Sequence, residues 1–168
     1  MLRSLGCVML AGLVTALMGC NADEATTLAA NKSVVARWAE LEDQGLTDQL
    51  DEVASPDCVI HYPGGGETRG LDAIKQGDME FAAAFSERRR DIQAQIAEGD
   101  LVLTRYVLTA RHTGEYMGIA PTGRTFTMSF MDLCRVSEGK VSECWVEGDM
   151  TAFYQQLTDT GAGAGEGG

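Results

Sequence analysis

Between residues 91 and 147 the chain carries four β-rich runs in succession, at 91–97, 101–113, 125–136 and 140–147. Glu98-Gly99-Asp100 and Glu138-Gly139 have the composition of hairpin turns. The two middle runs are joined by a glycine-rich excursion, His112-Thr113-Gly114-Glu115-Tyr116-Met117-Gly118-Ile119-Ala120-Pro121-Thr122-Gly123-Arg124. Antiparallel strands of this length twist and curl. The hollow side of such a sheet has to be filled by side chains, by a ligand, or by both. Strand parity says which residues face it: Phe126, Met128, Phe130, Asp132 and Cys134 share one face, and Thr127, Ser129, Met131, Leu133 and Arg135 the other. The first set is the more apolar, so it points inward and carries a lone carboxylate, Asp132, with it.

The segments before and after these runs read as helices. Val34, Val35, Trp38 and Leu41 have helical spacing, which predicts an amphipathic helix over 31–43, ended by Gly45. Thr47 can cap a short second helix through Val53, stopped by Ser55-Pro56-Asp57. Residues 58–62 form a short strand, and Pro63-Gly64-Gly65-Gly66 a loop. A third helix spans about 71–86, with Leu71, Ile74, Phe81 and Phe85 on one face. Asp149 caps a last helix that uses Met150, Phe153, Tyr154 and Leu157. Helices followed by a run of antiparallel strands make an α+β fold, a cone in which a curved antiparallel sheet wraps the N-terminal helices.

Register refines the candidate chemistry. A two-residue turn at Glu138-Gly139 pairs Ser137 with Lys140, which sets Asp132 opposite Trp145, Cys134 opposite Glu143 and Cys144 opposite Leu133. On that register the sulfurs of Cys134 and Cys144 point to different faces and do not bridge; a one-residue bulge would reverse this. A carboxylate against an indole in an apolar hollow loses hydration, which raises its pKa toward the range a general base uses near neutrality. The structural alternative is an aspartate that caps backbone or pairs with Arg105. His112 shares parity with Thr104, Tyr106 and Leu108 and stands where the chain leaves the sheet, placed to orient a substrate oxygen or to cap the loop. His61, alternating with Val59, is a second histidine that could reach the hollow or be partly buried in its strand. Glu143 and Glu147 share parity with Trp145 and read as edge carboxylates. Arg88-Arg89-Arg90 reads as a solvated charge run at a helix end, complementing the helix dipole.

Other chemistries find no support. His61, His112 and Asp132 lack the local spacing of a metal site, and none is expected. Gly64-Gly65-Gly66 has no following Lys-Ser/Thr to make a phosphate loop, and there is no Gly-x-Ser-x-Gly elbow. The formal charge of −12 disfavours nucleic acid and anionic headgroups as partners.

The first 19 residues, with Arg3 and then an apolar run, predict a secretory signal peptide. Leu17-Met18-Gly19-Cys20 resembles a bacterial lipobox, which implies acylation of Cys20, with 20–30 as a lipidated tether, 31–158 as the folded domain and 159–168 as a disordered glycine-rich tail. The expected location is the bacterial cell envelope, toward the outer membrane or periplasm, with the lipid as membrane anchor. Of five cysteines, Cys7 leaves with the signal peptide and Cys20 is acylated, leaving Cys58, Cys134 and Cys144, an odd number.

Several of these segments together, in order, resemble the SnoaL-like polyketide cyclases, also called ester-cyclase-like proteins, of the nuclear transport factor two-like superfamily. The resemblance runs from about Asn31 to Leu157. It rests on the opening helix to Trp38, Ser55-Pro56-Asp57-Cys58-Val59-Ile60-His61, the Glu98-Gly99-Asp100 turn, the stretch from His112 to Arg124, Asp132-Leu133-Cys134-Arg135, and Gly139-Lys140-Val141 leading to Glu143 and Trp145. It implies a cone-shaped barrel with a deep apolar pocket, and ring closure by intramolecular aldol condensation without metal or cofactor. Carried over, Asp132 is the base, His112 its helper, and Trp145 and Tyr106 the pocket wall; His61, Phe130 and Met128 complete the expected substrate site. Relatives often dimerise through the outer sheet face. Two functions fit: cofactor-free acid–base chemistry on a small apolar carbonyl compound, by cyclisation, isomerisation or hydrolysis, or carriage of a small hydrophobic ligand at the envelope without turnover.

Overall fold

A computed structural model describes residues 11–158, with side chains from residue 22 onward. The chain order is α1 (Ala11–Asp43), a 3-10 turn (Thr47–Glu52), β1 (Ala54–His61), β2 (Glu67–Arg69), α2 (Leu71–Ala84), β3 (Phe85–Glu98), β4 (Leu101–His112), β5 (Thr125–Ser137), β6 (Lys140–Gly148) and α3 (Met150–Thr158). The six strands form one sheet in the order β2-β1-β6-β5-β4-β3. From β3 to β6 the pairing is an antiparallel meander, as its hairpin turns require, whereas β1 runs parallel to β6. The sheet is therefore mixed, not antiparallel throughout, because α2 and the β3–β5 meander carry the chain back to β1's side.

Several boundaries differ from the sequence reading, among them the starts of β1, at Ala54, and of β3, at Phe85. The first helix starts well before residue 31 and runs through the stretch read as a tether, whose side chains from Ala22 to Ala30 are almost all exposed. A polar exposed stretch of Ala, Asn, Asp, Glu and Thr shows no apolar periodicity, yet nothing in it breaks a helix that packing nucleates further on. The third helix stops at Ala84, two residues early, and β3 takes over from Phe85. Asp149 caps α3 as expected, its Oδ1 accepting the Ala152 N–H at 3.0 Å. Residues 1–10 of the proposed signal peptide and the tail at 159–168 lie outside the described residues, as does the side chain of Cys20.

Helices α1 and α2 lie across the concave face, and the apolar interior forms three clusters, one of them made of Leu41, Leu50, Val53, Ala54 and Leu71 and the other two flanking the hollow. At one end Val102, Cys134, Val136 and Val141 pack with Val35, Ile60 and Ile74. At the other, Phe85 is the centre of an aromatic cluster, with Phe126 edge-on at 5.3 Å and Phe81 at 4.5 Å, closed by Phe153 and Leu157 of α3. Gly114 lets the β4–β5 loop lie against the end of α2. A Cβ there would come within 2.3 Å of the Ala83 carbonyl oxygen, so only glycine fits.

Candidate active site

A cavity of about 550 Å³ lies between the two apolar clusters. Strand parity is as the sequence predicted. Along β5, Phe126, Met128 and Cys134 are buried and Thr127, Ser129 and Met131 are exposed. Along β4, Val102, Thr104, Tyr106, Leu108 and Ala110 face in. Met128, Phe130, Tyr106 and Asp132 all line the cavity, with the Tyr106 and Phe130 rings stacked at 5.4 Å.

Asp132 is the exception in this apolar wall. Burial pushes its pKa up to about 7; the nearby Tyr106 hydroxyl works against that rise, Glu42 adds to it, and Arg90 opposes it. Asp132 lines the cavity, and its Oδ1 is buried without a hydrogen-bond partner. Arg105, on the outer face, is exposed. Tyr106 is itself held well above the usual phenol range, by burial and then by the Asp132 charge, so it stays a hydrogen-bond donor.

The register differs from the simple hairpin count. A bulge at Ser142 shifts β6 by one residue, so Asp132 pairs with Val146, Leu133 with Trp145 and Cys134 with Cys144. Two corrections follow. Trp145 turns to the outer face, where it stacks on His61 at 5.3 Å and carries Arg135 at 6.0 Å over its ring. Neither Trp145 nor His61 lines the cavity; His61 sits between Glu143, at 3.0 Å, and Glu67, at 3.7 Å. And Cys134 and Cys144, brought to one face, form a disulfide that borders the cavity. Cys58 remains a buried free thiol whose pKa burial raises to about 11, which makes it unreactive.

His112 is corrected as well. It is fully buried, stacked on Phe85 at 5.1 Å, with Nδ1 at 3.2 Å from Thr122 Oγ1 and its backbone pairing with Gly123 and Arg124. Asp132 faces Thr104 across the sheet, eight residues along β4 from His112, a separation of roughly 25 Å along a strand. His112 closes the β4–β5 loop and does not meet a substrate at Asp132.

The sequence reading missed a second polar group at the cavity. Glu42, from α1, accepts a hydrogen bond from Trp38 Nε1 at 2.7 Å and pairs with Arg90 at 2.5 Å, while Arg90 also binds Asp43. Burial raises the pKa of Glu42, with Arg90 opposing. Nearby, Arg88 pairs with Asp78 at 2.6 Å with both side chains almost fully buried, and Thr47 Oγ1 donates to Asp78. Arg88 and Arg90 are thus interior residues of β3, and only Arg89 is solvated. The sequence carries no signal for this: counted from the buried Phe85, alternation would turn Arg88 and Arg90 outward, and the bulge between Ser86 and Arg89, with Glu87 at a φ of 54°, brings them inward.

Comparison with known proteins adds to this geometry. A profile of the SnoaL-like polyketide cyclase family matches residues 32–157. The chain is 32% identical over 129 residues to the aklanonic acid methyl ester cyclase of Streptomyces galilaeus, covering 74% of this chain and 88% of the relative. It is 32% identical over 120 residues to the nogalonic acid methyl ester cyclase of Streptomyces nogalater, covering 68% and 87%. Among solved structures, the protein IdmH of Streptomyces antibioticus superposes with a TM-score of 0.67 at 30% identity, over 76% of this chain and 97% of that one.

Proposed function

Since this chain belongs to the SnoaL-like polyketide cyclase family, we propose that it performs cofactor-free acid–base chemistry of the cyclase type on a small, apolar, carbonyl-containing molecule. The observation that carries this reading is Asp132, a carboxylate poised near neutrality with an unpartnered oxygen at an apolar cavity. Ionised, it removes a proton from the carbon next to a carbonyl. The resulting enolate oxygen takes a hydrogen bond from Tyr106, which keeps its proton. The enolate carbon then attacks a second carbonyl of the same molecule, closing a ring; the new alkoxide takes up a proton and Asp132 returns to its starting state.

The names of the two curated relatives supply the test substrate. The chain is incubated with aklanonic acid methyl ester and ring closure is followed by chromatography. The expected rate rises with pH through about 7, as Asp132 ionises, and Asp132→Asn lowers it by roughly 10²–10⁴-fold. A rate that is flat with pH and indifferent to that substitution would sink the assignment.

A second reading, a ligand carrier of the cell envelope, is favoured by the disulfide, which fits an oxidising compartment better than a cytoplasm. It predicts a small molecule that co-purifies with the chain from its host and an affinity that Asp132→Asn leaves nearly unchanged. In either reading the leader and the lipobox-like Leu17-Met18-Gly19-Cys20 support export and acylation at Cys20.

A further inference from the structure

The charged groups around Asp132 do not balance. Arg90 is the cation that lines the cavity among the described residues, and it is committed to Glu42 and Asp43. The neighbouring Arg88 is committed to Asp78. From α2, Glu80 adds a further carboxylate at the rim. Tyr62, Tyr106 and Tyr116, which complete the titratable lining, all have pKa values raised by burial and stay neutral. The β6 and α3 walls are apolar apart from the disulfide. If Glu42 is counted as ionised, the cavity holds an excess of negative charge. If Glu42 is counted as neutral, Arg90 and Asp43 cancel, and Asp132 still stands alone. On neither count is a positive charge left over to receive an anion.

We propose that this cavity takes lipophilic ammonium ions as a further ligand class, with the charged head at Asp132 and the apolar body against the aromatic walls. Asp132 lines the cavity with no cation of its own and with an Oδ1 that no donor of the protein satisfies; an ammonium brings the carboxylate both a charge partner and N–H donors. Tyr106, next to Asp132, with Phe130 stacked on it, and the indole of Trp38 on the same cavity wall offer aromatic surface that attracts a cation stripped of water. The cavity volume of about 550 Å³ admits a bicyclic aromatic amine. This inference rests on the cavity and acid of the proposed function but not on its chemistry. An amine seated at Asp132 occupies the place of the reactive carbonyl compound, so it competes with turnover.

Binding of the cation requires ionised Asp132, so it is linked to proton release. With Asp132 at about 7, its ionised fraction goes from about one tenth at pH 6 to about nine tenths at pH 8. The full chain is titrated by calorimetry with three matched probes: 2-naphthylmethylamine, 2-naphthylmethanol and 2-naphthoate. The amine is expected to bind at least tenfold tighter than the alcohol at pH 8, to weaken about tenfold at pH 6, and, measured at pH 6 in two buffers of different ionisation enthalpy, to release close to one proton. The carboxylate is expected to be the weakest of the three. Asp132→Asn should abolish the preference for amine over alcohol while alcohol binding persists, which also shows that the variant is folded. The idea fails if the alcohol or the carboxylate binds as tightly as the amine, if no proton is released, if the amine preference survives Asp132→Asn, or if none of the three binds. No turnover enters this measurement. Amine selectivity without ring closure would leave it standing and sink the enzyme reading alone; ring closure without amine selectivity would do the reverse.

Discussion

Asp132 is a residue whose cost and use have the same origin. Burial holds its carboxyl at about 7 in the folded chain, against an ordinary value of 3.8. The folded state therefore binds the proton more tightly than the unfolded one. Its full contribution to stability is present below about pH 4 and is lost progressively as pH rises through 7. Replacing it with asparagine removes that loss. Asp132→Asn is expected to be more stable than the natural chain at pH 8 by about 4 kcal/mol, and nearly equal to it at pH 4. Thermal unfolding at the two pH values checks this; an equal or lower midpoint for the variant at pH 8 would show that the carboxyl is not desolvated. A gain in stability together with a loss of ring closure is what a site that sacrifices stability for reactivity should show. Asp132 was legible in the sequence because a lone acid among Phe126, Met128 and Phe130 stands out. Glu42, Arg88 and Arg90 were not, since charged residues are mostly exposed and only their partners explain their burial.

At the scale of elements, one residue reorganised the site. Parity along β4 and β5 could be read from the pattern of apolar residues, since side chains alternate without exception in a regular strand. The partner strand is different. The bulge at Ser142 shifts every residue of β6 beyond it, exchanging Trp145 for Val146 at the position facing Asp132 and bringing Cys144 to Cys134. The resulting bridge closes a short loop, sequence separation 10, across the β5–β6 hairpin. A cross-link of that span restricts the unfolded chain by about 2–3 kcal/mol. The Cys134→Ala, Cys144→Ala double variant is expected to melt roughly 8–10 °C lower in a scan without reductant. If the natural chain with and without reductant melts at the same temperature as the variant, the bridge contributes nothing.

For the whole molecule, α1 joins two roles. Its C-terminal half supplies Trp38 and Glu42 to the cavity, while the stretch read as a tether is mostly exposed helix whose Glu24, Thr27 and Leu28 lie beside the turns at Gly99-Asp100 and Glu138-Gly139. A helix rises about 1.5 Å per residue, so residues 21–30 would hold the domain on a stiff spacer of about 15 Å. Expressed with its own N-terminus in a bacterium that has an outer membrane, the chain is expected to incorporate labelled palmitate and to fractionate with membranes. Cys20→Ser should lose both the label and the membrane association. A natural chain that stays unlabelled and soluble would remove the lipid anchor from the account.

The linear pattern determined the α+β class, the strands from 101 to 148, the inward face of β5 and the acid on it, because periodicity and hairpin turns are local and burial of apolar side chains enforces them. Tertiary structure decided which groups meet that acid. Whether a strand carries an extra residue depends on its partner, the side taken by β1 depends on how the whole sheet closes, and the burial of Arg88 and Arg90 depends on carboxylates ten and about fifty residues away in sequence. His112 illustrates the division: its alternation correctly turned it inward, but only the packing of Phe85 and the β4–β5 loop made it a structural residue at the far end of the strand from Asp132.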